Sequence, residues 1–299
     1  MPIQPKKALG QHFLHNSSIA ARIVEALEEE LPRLQPDTQS GTPALPKAVT
    51  NRPWPVLEVG PGTGVLTDLL LQNPAIDYYG VELDRRAADY LHKAYPQLKS
   101  RLVCDDFLTL PADAFPGRFA LIGNFPYNIS SQIFFKVLEL KDRIPLIVGM
   151  LQKEVAERFC SPPGSRAYGI LSVLLQTWYR AEYLFSVAPG AFTPPPKVQS
   201  GVIRLIRNDR TTLDCPEDLY LKVIKTAFNQ RRKMLGNSLK PLLVSQLPAA
   251  SGHPDASLQN NTCRSGSNLQ SSVIYGLHRR PEQLSVEDFI ALTKQIAAL

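Results

Sequence analysis

The chain has 299 residues, 44% of them hydrophobic, which is enough for one full α/β core and a small second domain. Its formal net charge of +6 favours polyanionic partners, nucleic acid first among them. No apolar run reaches the length of a transmembrane helix, and residues 1–11 lack the apolar core of a signal peptide. The four cysteines lie far apart, without CxxC or zinc-finger spacing. We therefore expect a soluble cytoplasmic protein with reduced cysteines and no metal site, and nothing indicates more than a monomer.

The N-terminal segment is basic and then apolar, with Gly10 allowing a turn. Ser17 is a candidate cap for the first helix, which apolar residues at helical spacing over 19–31 predict to face the core. Residues 32–55 are rich in Pro, Thr, Gln and Asn and are predicted to form an exposed loop.

A glycine loop follows the first predicted strand, Val56–Val59, and precedes an apolar helical pattern. Glycines let the backbone approach a ligand closely, and a helix start offers free N–H groups. The dinucleotide fingerprint is G-x-G-x-x-G, whereas Gly60, Gly62 and Gly64 give G-x-G-x-G after the acidic Glu58. This difference favours S-adenosylmethionine, which has no phosphate, over a nicotinamide dinucleotide.

Two further predicted strands end in acidic residues. Glu82 ends the strand at Tyr78–Val81, roughly 20 residues after the glycine loop, where a doubly wound fold binds ribose hydroxyls. A carboxylate suits that task because it accepts hydrogen bonds from both hydroxyls of a cis-diol. Asp106 follows the strand at Leu102–Cys104. It could accept a hydrogen bond from the amine of an adenine ring, or it could cap a turn.

A short apolar run over 119–122 then leads into Asn124-Phe125-Pro126-Tyr127, and a helical pattern over 129–140 follows. Proline fixes its own φ and biases the preceding residue to an extended conformation, so this turn is stiff. Asn124 can donate and accept hydrogen bonds, and Tyr127 offers a flat face, which suits a planar ring that carries an amine. Alternatively, the Asn caps the helix and the Tyr belongs to the core.

Four successive strands thus end in polar or turn-forming residues, namely Gly60, Glu82, Asp106 and Asn124. A crevice at the carboxyl ends of a parallel sheet predicts this arrangement, because ligands bind there in open α/β folds. We therefore favour a ligand site over four unrelated turns.

The next segments complete the predicted α/β domain, with strands over 146–151, 183–187 and 202–206 and helices over 153–159 and 168–178. A proline-rich loop over 189–196 carries Phe192. That ring could stack beside the pocket, although plain packing in the core is slightly favoured.

The pattern changes after residue 208, and we expect a small helical domain over 209–299. An amphipathic helix runs into the basic triplet Arg231, Arg232 and Lys233, which favours contact with phosphates in a net basic chain. Residues 248–272 are predicted to be a flexible insert. Ser285 and Asp288 resemble a capping box at the start of the last helix.

Together these motifs resemble the KsgA/RsmA family of small-subunit ribosomal RNA adenine N6,N6-dimethyltransferases. They run in family order from about residue 6 to 240 and resume in the last helix. The matching segments are Leu9-Gly10-Gln11-His12-Phe13-Leu14, Leu57 to Gly64, Val81-Glu82-Leu83-Asp84, Gly123 to Asn128, Phe192 to Val198 and Ala227 to Lys233.

The resemblance implies a Rossmann-like class I methyltransferase domain over 1–208, with a seven-stranded, mostly parallel sheet, and a helical RNA-binding domain over 209–299. It implies methyl transfer from S-adenosylmethionine to two adjacent adenosines in a hairpin loop near the 3′ end of 16S ribosomal RNA in the 30S particle. Two positions depart from the family pattern, since His12 stands where many relatives carry Asn, and Phe125 replaces a more usual Leu.

The resemblance also assigns roles to residues. His12 and Leu14 close over the cofactor, which Gly60, Gly62, Glu82 and Asp106 also contact. Asn124 lies between the cofactor and the target base. We hypothesise that the Asn124 oxygen and the Pro126 carbonyl accept the two amine hydrogens, while Tyr127, and Phe192 if it lies beside the pocket, sandwich the ring.

Three other functions remain open. A large-subunit ribosomal RNA methyltransferase that confers antibiotic resistance is the nearest, and the segment Asn229 to Lys233 argues against it. A non-catalytic ribosome-assembly factor would keep the fold, but the intact Asn124 to Tyr127 motif argues for chemistry. A nicotinamide dehydrogenase is disfavoured by the glycine spacing.

Overall fold

The structure is a computed structural model that describes residues 3–6, 9–34, 53–246 and 276–299. Most of the predicted loops over 32–55 and 248–272 lies outside the described residues. None of the helices in the described part of the chain is both long and apolar enough to cross a membrane.

The elements alternate between strand and helix for most of the chain. The strands are β1 (Phe13–Leu14), β2 (Trp54–Val59), β3 (Ile76–Val81), β4 (Leu102–Val103), β5 (Ala120–Asn124), β6 (Leu146–Gln152), β7 (Tyr179–Val187), β8 (Phe192–Thr193) and β9 (Ser200–Arg207). The helices are α1 (Ser17–Glu28), α2 (Val65–Gln72), α3 (Arg85–Ala94), α4 (Ser130–Glu139), α5 (Lys153–Cys160), α6 (Ile170–Trp178), α7 (Glu217–Asn229), α8 (Leu235–Ser238), α9 (Lys240–Gln246) and α10 (Val286–Ala297). Short 3₁₀ turns connect several of them.

Seven of these strands form one sheet in the order β4-β3-β2-β5-β6-β9-β7. The strands from β2 to β6 pair in parallel, while β9 runs antiparallel to both β6 and β7. The predicted mostly parallel, seven-stranded sheet is therefore confirmed. Strand order reverses at β2, which lies between β3 and β5. A doubly wound sheet opens its ligand crevice at such a point.

The central strands are apolar because both faces of the sheet are covered. Leu121, Ile122 and Val148 are fully buried, and helix α1 packs Ile23 and Leu27 into the core that contains Ile122 and Val148. At about 25 cal/mol per Å² of apolar surface, this burial dominates the stability of the sheet that positions the site.

Two local predictions need correction. Helix α1 is capped by Asn16, whose side-chain oxygen accepts a 3.1 Å hydrogen bond from the Ile19 N–H, while Ser17 is already helical. Strand β7 begins at Tyr179, earlier than the predicted 183. The sequence pattern hides this start because Glu182, opposite Arg204 on β9, forms a 2.8 Å ion pair with it and needs no apolar partner.

The described residues divide into two compact units, one within 1–160 and 178–209 and the other within 161–177 and 210–299. The predicted boundary near 208 is close to this division, but residues 161–177 pack with the second unit. That short stretch leaves the first unit and returns to it, so a single composition change along the chain does not reveal it.

The second unit has its own core of aromatic rings. Phe228 on α7 contacts both Tyr168 and Phe289, with ring centroids 6.2 and 5.9 Å away. Ser285 and Asp288 form the predicted capping box of α10, since the N–H of each is hydrogen-bonded to the side chain of the other, at 2.9 and 3.1 Å.

Candidate active site

A pocket lies at the carboxyl ends of β2, β3, β4 and β5, and the N-terminal segment forms one of its walls. The residues that line it are Leu9, Gly10, Gln11, His12, Phe13, Val59, Gly60, Gly62, Val81, Glu82, Leu83, Asp105, Asp106, Phe107, Asn124, Phe125, Pro126, Tyr127, Asn128 and Ile129. The four predicted strand ends therefore meet at one site.

The glycine loop forms the floor of this pocket. Gly60 and Gly62 have φ values of +70° and +59°, a region that side chains with a Cβ rarely adopt. A Cβ added to Gly62 would lie 3.0 Å from the ring of Phe13, whereas one added to Gly60 would meet no described atom within 4 Å. Gly60 thus leaves open space in the pocket through which a ligand can approach the backbone.

Glu82 is almost fully buried, and its two oxygens accept 2.8 Å hydrogen bonds from the N–H groups of Gly62 and Asp84. Burial raises the pKa of this carboxyl, and these backbone hydrogen bonds oppose the rise. The side chain both fixes the shape of the glycine loop and lines the pocket. Each oxygen keeps a lone pair for a further donor.

Beneath the loop lies a second buried carboxyl that is not part of the pocket lining. Glu58 on β2 accepts hydrogen bonds from the Thr67 hydroxyl at 2.7 Å and the Tyr78 hydroxyl at 2.9 Å. Burial raises its pKa to about 7, although these two hydrogen bonds oppose the rise. Glu58 therefore connects β2, α2 and β3 directly under the glycine loop.

Asp84 anchors the N-terminal wall of the pocket. Its buried carboxylate accepts hydrogen bonds from Lys6 at 3.1 Å, from Gln11 at 3.4 Å and from Arg86 at 2.7 Å, while Arg86 also donates to the Gln4 carbonyl. The hydrogen bonds from Arg86, and then from Lys6, hold the pKa of Asp84 far below its usual range. Sequence reasoning missed this anchor, because Lys6 and Gln11 are distant from Asp84 in the chain.

Asp106 fits both roles that the sequence left open. Its side chain accepts a 2.9 Å hydrogen bond from the Leu108 N–H, which caps the turn after β4, and the residue also lines the pocket. The neighbouring lining residues Leu83, 49% exposed, and Phe107 supply apolar surface beside it. A polar group next to apolar walls suits an adenine ring.

Asn124 ends β5, and one hydrogen bond from its side-chain nitrogen fixes the orientation of its amide. Its Nδ2 donates a 2.9 Å hydrogen bond to the His12 carbonyl. Among the described residues, the Asn124 side-chain oxygen has no donor. The next peptide is held as well, since the Phe125 N–H donates to the Met150 carbonyl at 2.9 Å. The Asn124 amide thus presents an acceptor oxygen at the carboxyl end of β5, in the pocket.

Tyr127 and His12 form the aromatic side of the pocket. Their rings stack with centroids 5.4 Å apart and planes inclined by 29°. The Tyr127 hydroxyl is hydrogen-bonded to the Ser200 hydroxyl at 2.5 Å. Burial raises the pKa of Tyr127. His12 Nδ1 lies 2.7 Å from the Pro194 carbonyl. Because a carbonyl only accepts, Nδ1 carries the hydrogen.

Two predicted site residues lie elsewhere. Leu14 and Phe192 face each other in the two-stranded pair of β1 and β8, and they are 4% and 2% exposed. Both belong to the hydrophobic core and neither lines the pocket. The structure therefore favours packing over stacking for Phe192. Their pairing instead holds the N-terminal segment in place beside the site.

The basic triplet belongs to the second unit. It does not continue α7, which ends at Asn229, but lies in the turns that follow. Arg232 and Lys233 are exposed, while Arg231 is partly buried by contacts within its own unit.

Several lining residues were not singled out from the sequence, among them Gly10, Gln11, Phe13 and Asn128. The N-terminal motif Leu9 to Leu14 contains three of them, Gly10, Gln11 and Phe13, and could have indicated them. A Cβ on Gly10 would lie 2.6 Å from the Asn128 side-chain oxygen, so this glycine permits close approach of the two segments. That approach depends on the tertiary fold, and no local pattern predicts it.

The family model for "Ribosomal RNA adenine dimethylase" matches residues 3–267 of the chain. Among curated proteins, the chain is 49% identical over 292 residues to "Ribosomal RNA small subunit methyltransferase A" of Parabacteroides distasonis, covering 97% of this chain and 93% of that protein. A protein of the same name from Porphyromonas gingivalis is 47% identical, with 98% of each chain covered.

Solved structures share the fold over nearly the whole chain. A dimethyladenosine transferase from Plasmodium falciparum has a TM-score of 0.67 at 21% identity, covering 94% of this chain and 96% of that one. The 23S rRNA methyltransferase ErmE has a TM-score of 0.58 at 25% identity, covering 94% and 99%. The family model matches most of the length of this chain, and the curated relatives align with it almost end to end. The chain therefore belongs to the ribosomal RNA adenine dimethylase family.

Proposed function

We propose that this protein transfers methyl groups from S-adenosylmethionine to the N6 amines of two adjacent adenosines in a hairpin loop near the 3′ end of 16S ribosomal RNA. The substrate is the 30S particle, the product is N6,N6-dimethyladenosine, and the reaction belongs to ribosome biogenesis in the cytoplasm. The observation that carries this proposal is the Asn124 amide, anchored through its nitrogen and open at its oxygen beside Tyr127.

The choice of small-subunit RNA rests on the relatives. Those named for the small subunit are 49% and 47% identical, whereas the structure named for 23S RNA is 25% identical. Both kinds share the fold, so fold alone does not separate them. The greater identity over the full length favours the small subunit.

The pocket fits the proposed methyl donor. Glu82 presents carboxylate oxygens for the two ribose hydroxyls, Asp106 accepts from the adenine amine, and Gly60 lets the backbone approach the ligand. When bound, S-adenosylmethionine would supply a methyl group on a cationic sulfonium, whose sulfur leaves as a neutral thioether. The backbone N–H of Gly62 already pairs with Glu82, so this loop is ordered before the ligand arrives.

An adenine N6 amine is a poor nucleophile because its lone pair is delocalised into the ring. In the first transfer, the Asn124 oxygen and the Pro126 carbonyl would each accept one amine hydrogen. Two acceptors in this arrangement favour a pyramidal nitrogen, with its lone pair directed away from them and toward the methyl group. Catalysis then depends on positioning and electrostatics. No strong general base is needed before transfer, because the amine becomes cationic on methylation and loses its proton afterwards. The monomethylated amine keeps one hydrogen and must turn before it accepts the second methyl group.

The target base stacks on Tyr127 from the side that His12 leaves free. A ring between Tyr127 and His12 would need roughly 7 Å, two contacts of about 3.5 Å each, whereas the centroids are 5.4 Å apart. The base must also be presented unpaired or flipped out of its stack. A hairpin loop meets that requirement.

The test is transfer of labelled methyl groups to unmethylated small subunits, to large subunits and to free adenosine, followed by nucleoside analysis. We expect N6,N6-dimethyladenosine in the small-subunit RNA alone. Label in the large subunit instead would contradict the substrate assignment. A protein that binds small subunits and S-adenosylmethionine but transfers no label would be an assembly factor, contrary to this proposal.

A further inference from the structure

The Tyr127 ring is attached to the sheet at its far end as well as through its own backbone. Its hydroxyl is hydrogen-bonded to the Ser200 hydroxyl at 2.5 Å. Tyr127 lies in the turn between β5 and α4 and is only half-buried, whereas Ser200 is fully buried. The contact therefore ties a partly exposed ring of the pocket to a fixed point in the core.

Ser200 is a rigid anchor because it opens β9, which is paired on one side with β6 and on the other with β7. The next residue, Gly201, is packed so closely that a Cβ would lie 2.8 Å from both the Ala156 Cβ and the Tyr183 ring. Since β9 runs antiparallel to β6, its start lies at the edge of the sheet where the parallel strands end. Ser200 thus reaches the pocket from a strand that is distant in the sequence.

The hydrogen bond fixes one of the two torsions that place a tyrosine ring. The phenol oxygen lies on the axis of the Cβ–Cγ bond, so rotation about χ2 does not move it, and this torsion is soft. The contact with Ser200 therefore sets the direction of the ring axis, which depends on χ1. The stacked ring of His12, inclined by 29°, restrains the ring plane, which depends on χ2.

Both restraints come from the segment that leads from β8 into β9. His12 is held by the Pro194 carbonyl, which lies 2.7 Å from its Nδ1, and Tyr127 is held by Ser200. The proline-rich segment thus frames the two rings, although it is far from both of them in the sequence.

We propose that Ser200 is a positioning residue for methyl transfer, which holds the Tyr127 face at the place where the target adenine stacks. This inference rests on the proposed function, in which Tyr127 stacks on the base. A ring that swings about χ1 would carry the base away from the Asn124 oxygen, and small displacements of reacting groups are costly in rate. Because Ser200 engages the phenol oxygen, Tyr127 contributes its ring face rather than an acid or base.

Two substitutions that break this hydrogen bond should differ in effect. Ser200→Ala removes one atom and leaves β9 paired, but the Tyr127 hydroxyl loses its partner and gains a new one by turning toward water. Tyr127→Phe removes the hydroxyl and leaves an apolar ring that needs no such partner. We therefore expect the ring to be displaced in the first variant and to stay in place in the second.

The experiment measures single-turnover methyl transfer to saturating unmethylated small subunits by Ser200→Ala, Tyr127→Phe and the double variant. Ser200→Ala should lower the rate about three- to tenfold. The small-subunit KM and the cofactor affinity should stay within about twofold of wild type, since binding of RNA depends mainly on phosphate contacts. Tyr127→Phe should lower the rate less, and the double variant should recover to the rate of Tyr127→Phe, because both changes break one hydrogen bond.

Ser238→Ala is the matched control. Ser238 is also fully buried, and its hydroxyl donates to the Leu235 carbonyl at 3.4 Å in the second unit. This variant should lower the Tm about as much as Ser200→Ala does and leave the rate unchanged. An equal loss of rate in both serine variants would show that the loss follows stability, and it would overturn the inference.

A wild-type rate in folded Ser200→Ala would also overturn the inference, and so would losses that multiply in the double variant. Either result would leave the proposed function intact, because the wild-type protein would still methylate small subunits. Failure of the wild-type protein to do so would instead contradict the proposed function.

Discussion

At the scale of single residues, His12 is the residue at which several contacts of the pocket meet. Its carbonyl holds Asn124, its Nδ1 pairs with Pro194, and its ring covers one face of Tyr127. Removing the side chain leaves the carbonyl in place. The substitution His12→Ala therefore separates the contribution of the ring from that of the backbone carbonyl.

We predict that His12→Ala lowers kcat/KM for small subunits about three- to tenfold, because an aromatic contact contributes about 0.5 to 1.5 kcal/mol. His12→Asn, which restores a polar side chain near Pro194 but not the stacked ring, should recover only part of the loss. Steady-state kinetics and calorimetric binding of the cofactor measure both effects. A loss confined to cofactor affinity would contradict this role for the ring.

Glu58 gives the glycine loop a pH-dependent support. Its pKa is raised from 4.5 to about 7 in the folded protein, so it keeps its proton where the unfolded chain has already lost it. The stabilisation from the protonated form is thus fully present below pH 4.5 and is lost as the pH rises to about 7. A shift of this size corresponds to about 3 kcal/mol.

We therefore expect the Tm difference between wild type and Glu58→Gln to change between pH 4.5 and 7.5. The Tm of the wild type should fall relative to that of the variant as the pH rises. Glutamine has the same shape and an acceptor for Thr67 and Tyr78, but it does not titrate. Thermal unfolding at several pH values tests this. A difference that stays constant over the range would exclude titration of Glu58 as the cause.

At the scale of elements, the N-terminal segment is a wall of the pocket that is fastened in two places. The β1 and β8 pair holds one end, and the buried Asp84 holds the other through Lys6 and Gln11. Because Lys6 is 46% exposed, water weakens that ion pair, and we expect only a modest effect on stability. Its effect on the pocket should be easier to detect.

Lys6→Ala should weaken binding of S-adenosylmethionine about twofold to fivefold at low salt, and the difference from wild type should shrink as salt screens the pair. Lys99→Ala, an exposed lysine outside the pocket, is the matched control and should leave affinity unchanged. Calorimetry measures both. If the two variants bind the cofactor alike, the ion pair does not support the wall.

The elements themselves were largely predictable, because β2 to β6 are short apolar runs bounded by turns and the helices between them carry apolar stripes. What could not be predicted depends on contacts between distant segments. Asn16 rather than Ser17 caps α1, since the cap is set by the direction in which the chain enters the helix. Phe192 lies in the core because β8 pairs with β1.

At the scale of the whole molecule, the described residues form two compact units. The first unit holds the pocket with Asn124, Glu82 and Asp106, and the second carries the exposed cations. The motifs predicted the pocket because parallel strands bring their carboxyl ends together. The environment of the basic triplet was only partly predictable, since Arg231 is partly buried and donates a 3.3 Å hydrogen bond to the carbonyl of Ser165, which is distant in the sequence.

The central claim is that the Asn124 side chain activates the adenine amine. The most direct measurement is single-turnover methyl transfer to small subunits by Asn124→Ala, with cofactor and RNA affinities measured on the same preparations. We predict a rate lower by about 10²- to 10³-fold, as for loss of one preorganised polar group, with both affinities within about threefold of wild type. Lys6→Ala is the control for loosening of the N-terminal wall, because it leaves the amide intact. A rate within tenfold of wild type in a folded Asn124→Ala protein would contradict the mechanism.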